Sequence, residues 1–187
     1  MLYPHWQYFL TLDSEMDRIT RYVEIGPNNY KTYSIQFVHL LLATCSEVDV
    51  VCKVLCKKAN PSEKPENIHQ YQQILTAHYP GLHSVRVTVP RHGKMILVPW
   101  GRWGKGSNPD WWSIHNKVKH QRHEYFRQAN LRNTVNALAG LFVLICYLYK
   151  GEINQKQELP TWPKILSLPE QYINGHVFKD TFSLRLP

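Results

Sequence analysis

The sequence predicts an all-α protein: a single helical bundle of about five helices with a small β-hairpin insert and an irregular C-terminal strap. Three observations support this fold class. Apolar residues recur every three or four positions over long stretches, which is the period of an amphipathic helix. Residues 84–98 alternate in polarity instead, and the strap, residues 152–187, has no sustained period. The 187 residues, 43% of them hydrophobic, suffice for one core, so we treat 1–187 as one domain.

Two helices are predicted in the first third of the chain. The first covers residues 4–20, and its apolar stripe consists of Trp6, Phe9, Leu12, Met16 and Ile19. We expect the acidic residues of this segment, Asp13 among them, to lie mostly off the stripe. The second helix covers residues 32–58 and has the clearest period in the chain. It ends before Asn60 and Pro61, a pair that interrupts helices.

Three further helices and the insert follow. A third helix is predicted from about residue 62 to about residue 78, where Tyr79-Pro80-Gly81 ends it. Residues 84–98 alternate in polarity around a Pro-Arg-His-Gly turn and predict a β-hairpin. The last two helices are predicted over residues 111–128 and 131–150. Facing helices of such a bundle are where its sites are built.

Composition excludes several classes and leaves the partner open. Collagen-like and disordered chains are excluded, because six Trp, eleven Tyr and six Phe require a core. There are 22 Lys and Arg against 14 Asp and Glu, a formal net charge of +8. Such a balance favours an anionic partner such as nucleic acid, or serves solubility alone. No glycine-rich loop opens a helix in the pattern of nucleotide-binding enzymes.

The cysteines and the apolar runs bear on compartment. Three of the four cysteines, Cys45, Cys52 and Cys56, share one face of the second helix, which is typical of buried thiols. We therefore expect structural thiols and a cytoplasmic protein. The N-terminus lacks the pattern of an export signal. The apolar run 137–149 is shorter than a membrane span, so it predicts a buried core helix and no membrane association.

Residues 111–123 contain the densest cluster of polar side chains that can carry chemistry. On a helix, Asn116, Lys119, His120 and His123 would stack on one side, next to Trp112. Histidine exchanges protons near neutral pH, and lysine steadies charge on phosphate oxygens. Together they suffice for metal-independent cleavage of a phosphodiester by an adjacent 2′-hydroxyl. The alternative is that these residues form a buried hydrogen-bonded network that clamps two helices.

The same segment resembles the signature helix of HEPN-domain proteins, small helical bundles that include RNases of toxin, abortive-infection and CRISPR systems. Their signature helix carries an Arg that is usually followed by a polar residue such as Asn, and a His several positions later. Here Asn116 and His120 match that motif, and His115 occupies the position of its arginine. The resemblance implies proton transfer by His120, positioning by Asn116 and a substitute phosphate contact by Lys119. It also implies RNA as a partner, a homodimer with a composite site, and no cofactor.

Three residues are expected to support this site. Glu47 lies near the edge of the apolar stripe of the second helix, where it can pair with Lys119, His120 or Arg122 across the bundle. Arg122 is a further candidate for the positive charge that the motif arginine would supply. His123 belongs to the predicted helix face that carries Asn116, Lys119 and His120. The alternative is that Glu47 has only a structural role.

The glycine- and tryptophan-rich loop 100–105 offers a second nucleic-acid contact. It interleaves Arg102, Trp103 and Lys105, and aromatic rings beside cations often hold single-stranded nucleic acid. The alternative is that its tryptophans fill the end of the bundle. No metal site is predicted, because His115, His120 and His123 include no pair four residues apart.

Two function classes follow from these patterns. The first is a HEPN-like RNA-binding protein or metal-independent endoribonuclease that acts in phage defence or stress response. The second is a non-catalytic helical protein with a structural or interaction role.

Overall fold

The computed structural model describes residues 3–91, 95–155, 161–176 and 181–187. Within these ranges the fold is mostly helical, with two small antiparallel hairpins. The helices are α1 Pro4–Ile19, α2 Ile35–Ala59, α3 Ile68–His78, α4 Asp110–His120, α5 Arg122–Tyr125 and α6 Leu131–Asn154. The strands are β1 Val87–Val89, β2 Met95–Leu97, β3 Ile173–His176 and β4 Thr181–Leu184. The helical class is thus confirmed, and a purely all-α class is not.

Helices α2 and α6 form the centre of the fold. They pack mainly on each other, and α1 and α4 cover them. Every residue from 137 to 149 is buried, as the apolar run in the sequence predicts. In the described part of the chain, α6 is the one helix long and apolar enough to cross a membrane. However, 83% of its apolar window is buried inside the fold, as in the core helix of a folded domain.

Three helices begin at side chains that accept hydrogen bonds from the first-turn N–H groups. The Ser34 hydroxyl accepts from the Phe37 amide, and the Asn130 side chain accepts from the Asn133 amide. At α3, the Asn67 side chain accepts from two amides of the first turn. Such a cap contributes about 1 kcal/mol. The Asn67 cap sets the start of α3 at Ile68, so the prediction that this helix begins near residue 62 is wrong.

The segment after α6 contains a hairpin where the sequence predicts an irregular strap. Strands β3 and β4 pair antiparallel, with Ile173 opposite Leu184. The Asn154 side chain joins this hairpin to the end of α6. Its amide nitrogen donates to the Leu184 carbonyl at 3.1 Å, and its oxygen accepts from the Leu184 N–H at 2.6 Å. The hairpin in residues 84–98 is confirmed, with Val87 opposite Leu97.

Asp13 attaches this same segment to α1. Its carboxylate accepts from the backbone N–H groups of Lys164 at 2.7 Å and Ile165 at 3.2 Å. The side chain is buried, so the expectation that it lies off the core face is wrong. Burial raises the pKa of Asp13, while the two N–H donors act in the opposite direction. The Asp13 side chain is buried because the backbone N–H groups of Lys164 and Ile165 need a hydrogen-bond acceptor there.

A tryptophan cluster fixes α4 against α6. The Trp111 ring lies against Gly140, where an added Cβ would come within 2.8 Å of the ring. The Trp111 indole N–H donates to the Pro99 carbonyl at 2.9 Å, and that of Trp100 donates to the Gly140 carbonyl at 3.0 Å. These contacts hold the first turn of α4 in a single position.

The four cysteines are buried and free, as predicted. Burial raises the pKa of each thiol, so these cysteines stay protonated and pack as small apolar residues.

Candidate functional site

The predicted helix over residues 111–128 is interrupted at Gln121. This residue has φ −137° and ψ 50°, outside the helical region, and it separates α4 from the single turn α5. The predicted continuous face therefore ends at His120, and His123 leaves it. The last turn of α4 exposes Lys117, Lys119 and His120. Cations are favoured at this end of a helix because the backbone dipole is negative there.

Two clefts lie on either side of the exposed edge of α4. We call the first the inner cleft: it has a volume of about 500 Å³ and lies between α2, α4 and the start of α3. His115, Asn116 and Lys119 line it on the α4 side. The second, the cationic cleft, has a volume of about 660 Å³ and contains Lys119, His120, Arg122, His123, Leu42, Val118 and Phe126. Lys119 and Leu42 line both clefts.

The structure therefore divides the residues that the motif groups together. Asn116 and His120 are one turn apart on α4, but Asn116 lines the inner cleft and His120 lines the cationic cleft. Lys119 stands at the boundary between them. Of the predicted site residues, Lys119, His120, Arg122 and His123 are brought together, and His115 is not among them.

His115 is buried in the wall of the inner cleft and is only 7% exposed. Its ring lies 5.2 Å from the Trp112 ring, centroid to centroid. Nδ1 has no hydrogen-bond partner among the described residues. Burial, and next the charges of Lys119 and His120, lower the pKa of His115 to about 4. His115 is therefore neutral at pH 7 and does not supply the positive charge that arginine has at this position in HEPN proteins.

The wall opposite His115 is formed by Asp49 and its partners. Lys53 donates to one Asp49 carboxylate oxygen at 2.6 Å, a pair of residues four apart on α2. The Tyr71 hydroxyl donates to the other oxygen at 2.8 Å. Sequence analysis missed Tyr71, because nothing in the sequence indicates that α3 brings it to α2. Both oxygens of this carboxylate are thus engaged.

The cationic cleft contrasts with the inner cleft in its charge. Neither Lys119 nor Arg122 forms an ion pair with any residue that the structure describes. His123 is largely exposed, and its Nε2 is 3.5 Å from a Glu124 carboxylate oxygen. Within the part of the chain that the structure describes, Lys119 and Arg122 are therefore two exposed cations without an acidic partner.

The aromatic ring of Phe126 borders the cationic cleft, and a tyrosine packs against it. The Phe126 ring lines the cleft and packs edge-on against the Tyr33 ring at 5.8 Å. The Arg127 guanidinium lies over the Tyr33 ring, 5.8 Å from its centroid. Tyr33 is 43% exposed. Sequence analysis also missed these rings, since neither belongs to a helical stripe and 93 residues separate them.

The remaining predicted residues lie elsewhere. Glu47 interacts with His5 of α1: its Oε1 lies 2.6 Å from the ring atom Nδ1. The prediction that Glu47 pairs with Lys119, His120 or Arg122 is therefore wrong. The reason is that α1 covers this part of α2.

The loop 100–105 lies outside both clefts as described. Trp103 is buried with its ring 4.1 Å from that of Trp100, so it has no free face on which a base can stack. Arg102 pairs with Asp110, and Lys105 is exposed. The tryptophans are buried, as the alternative expects, but Trp100 packs at Gly140, well inside α6, and not at the end of the bundle.

No metal ligands are assembled here: the described residues contain no group of three or more His, Cys, Asp or Glu positioned to hold an ion. Comparison with known proteins adds no assignment, since no family model, curated protein or solved structure matches the chain. The resemblance to the HEPN signature therefore stays a prediction that depends on the six residues 115–120.

Proposed function

We propose that this protein binds single-stranded RNA in the cationic cleft. The proposal is supported by Lys119 and Arg122, which have no acidic partner in the described structure and line the cleft together with the Phe126 ring, against which Tyr33 packs. Cations next to accessible aromatic rings are the combination that holds a phosphate backbone and stacks its bases. The formal net charge of +8 supports an anionic partner in the same way.

Two features favour RNA in a single strand. The aromatic rings are of use only to bases that are unstacked, and single strands offer such bases. The resemblance of α4 to the HEPN signature favours RNA over DNA. Arg127 extends the positive charge past the rings, so a strand that leaves the cleft still contacts a cation.

A second candidate function is metal-independent cleavage of the bound strand. One observation favours it: His120 is exposed beside Lys119, where an imidazole can take the proton of a ribose 2′-hydroxyl while the ammonium contacts the phosphate. The neutral, buried His115 argues for binding as the primary function, because the site then lacks a cation that HEPN RNases use.

The test of binding compares three proteins with a labelled single-stranded RNA of mixed sequence, in EDTA. They are the wild type, the double variant Lys119→Ala/Arg122→Ala and the control Lys57→Ala. Lys57 is an exposed cation of α2, about 20 Å along the helix from Leu42. We expect affinity to fall at least about tenfold in the double variant, since each phosphate contact contributes on the order of 1 kcal/mol. The control is expected to bind like the wild type.

Equal affinity of the double variant and the control would show that the cleft is not the binding surface. No retention of RNA by the wild type would favour the structural or interaction role instead.

Cleavage is tested in the same incubation by analysis of the product ends. The binding proposal predicts intact RNA with both the wild type and His120→Ala. Products with 2′,3′-cyclic ends from the wild type, and none from His120→Ala, would establish the second candidate function and assign the proton transfer to His120.

A further inference from the structure

The inner cleft adjoins the cationic cleft, and the two share Lys119 and Leu42. A strand bound in the cationic cleft would therefore pass the mouth of the inner cleft. The inner cleft has a volume of about 500 Å³, which is ample for a group the size of a nucleobase.

The lining of the inner cleft differs from that of its neighbour in having no excess of one charge. Two lysines, Lys53 and Lys119, face two acids, Asp49 and Glu66. Lys53 and Asp49 are already paired with each other. Asn116 adds an amide that both donates and accepts. Such a lining suits a neutral group with donors and acceptors along its edge better than it suits a phosphate.

His115 supplies the second, independent observation. It lines the inner cleft and is more than nine-tenths buried. Nδ1 is enclosed and has no hydrogen-bond partner among the described residues, so the part of the ring that can meet a ligand in the cleft is the opposite edge, which carries Nε2. The ring is neutral at pH 7, so it can donate or accept one hydrogen bond without bringing a charge into the wall.

We propose that the inner cleft receives one unstacked nucleobase of the bound RNA, and that His115 forms a hydrogen bond to the edge of this base. The inference rests on the proposed function, because it requires a strand in the cationic cleft. It assigns the two clefts different tasks: the cationic cleft holds the backbone, and the inner cleft reads a base. Proteins that recognise single-stranded RNA commonly bind a base on its exposed edge.

The test uses short single-stranded RNAs that are identical except at one position, which is adenine, guanine, cytosine, uracil or an abasic ribose. Their affinities are measured with the wild type and with His115→Phe, which keeps a ring against Trp112 and removes both nitrogens. The wild type is expected to bind at least one of the four bases roughly three- to tenfold more tightly than the abasic strand, the effect of one hydrogen bond. His115→Phe is expected to lose that preference and to bind the abasic strand like the wild type.

The outcomes separate the two proposals. RNA that binds without any difference between the bases and the abasic strand overturns the inner-cleft inference and leaves the proposed function intact. A preference that persists in His115→Phe overturns the role of His115. Absence of RNA binding by the wild type overturns the proposed function and this inference with it.

A second measurement keeps the inference testable if His115→Phe does not fold. The ring signals of His115 are followed by NMR in the wild type during addition of each RNA. The inference predicts a shift with a base-containing strand and none with the abasic strand. Identical shifts with both strands would contradict it.

Discussion

The two halves of α4 are close in sequence and opposite in environment. The first half buries Trp111, Trp112 and His115 against α6 and α2. The second half exposes Lys117, Lys119 and His120 to solvent. One helix of eleven residues thus contains a neutral imidazole inside the fold and two exposed lysines outside it.

The difference shows how a rigid support and a binding surface can be built from the same element. Trp111 fixes the first half of the helix, because its indole N–H donates to the Pro99 carbonyl in the loop before α4 and its ring packs on Gly140. Among the described residues, the two lysines of the second half have no acidic partner, and Lys119 lines the cationic cleft. Sites placed on such supported elements keep their geometry.

The largest effect is expected from the buried half. Trp111→Ala removes a ring that is 3% exposed and leaves a cavity against Gly140. We expect the free energy of unfolding to fall by about 3–5 kcal/mol, measured by urea denaturation. Tyr22→Ala is the control: that ring is 88% exposed, and its loss is expected to change stability by less than about 0.5 kcal/mol. A similar small change in both variants would mean that Trp111 does not anchor α4.

The second effect is a pH dependence that belongs to His115. Its pKa is lowered from 6.5 to about 4, so between these values the unfolded chain binds a proton that the folded protein does not. The contribution of His115 to the free energy of unfolding is therefore fully present above pH 6.5. It decreases as the pH falls towards 4, by up to about 3 kcal/mol.

The measurement is the free energy of unfolding of the wild type and of His115→Phe at a series of pH values. The contributions of the other titrating groups cancel in the difference between the two proteins. The wild type is expected to lose stability relative to the variant on acidification. Parallel curves would show that His115 is not buried as a neutral ring.

The smallest effect is expected from the exposed half. Lys117 lies with its Nζ 5.2 Å from the centroid of the Tyr125 ring, an exposed cation–π contact. Lys117→Ala is expected to lower the free energy of unfolding by about 0.5 kcal/mol at most. Lys117→Arg, which retains the charge over the ring, should restore most of it. A loss comparable to that of Trp111→Ala would contradict the division of α4 into a supporting and an exposed half.

Features set by local pattern could be predicted from the sequence. The apolar stripe of α2 and the continuous apolar run of α6 predict two core helices, and both are present. Alternation around a turn predicts the hairpin of β1 and β2. The burial of the tryptophans in the loop 100–105 agrees with one of the two expectations, but their place at Gly140 of α6 does not follow from the sequence.

Features that depend on distant contacts could not be predicted. Asp13 is buried because its acceptors meet backbone donors 151 and 152 residues away. Neither proline nor glycine marks the interruption at Gln121, so the helical period continues through it in the sequence. The pairing of Glu47 with His5 requires knowledge that α1 packs on that part of α2.

The proposed contact of Lys119 and Arg122 with RNA phosphates is tested most directly by the salt dependence of RNA binding. It is measured as the slope of log affinity against log salt concentration for the wild type and for Lys119→Ala/Arg122→Ala. We predict that the slope becomes shallower by about 0.7 for each phosphate contact removed. An unchanged slope, together with unchanged affinity, would contradict the claim.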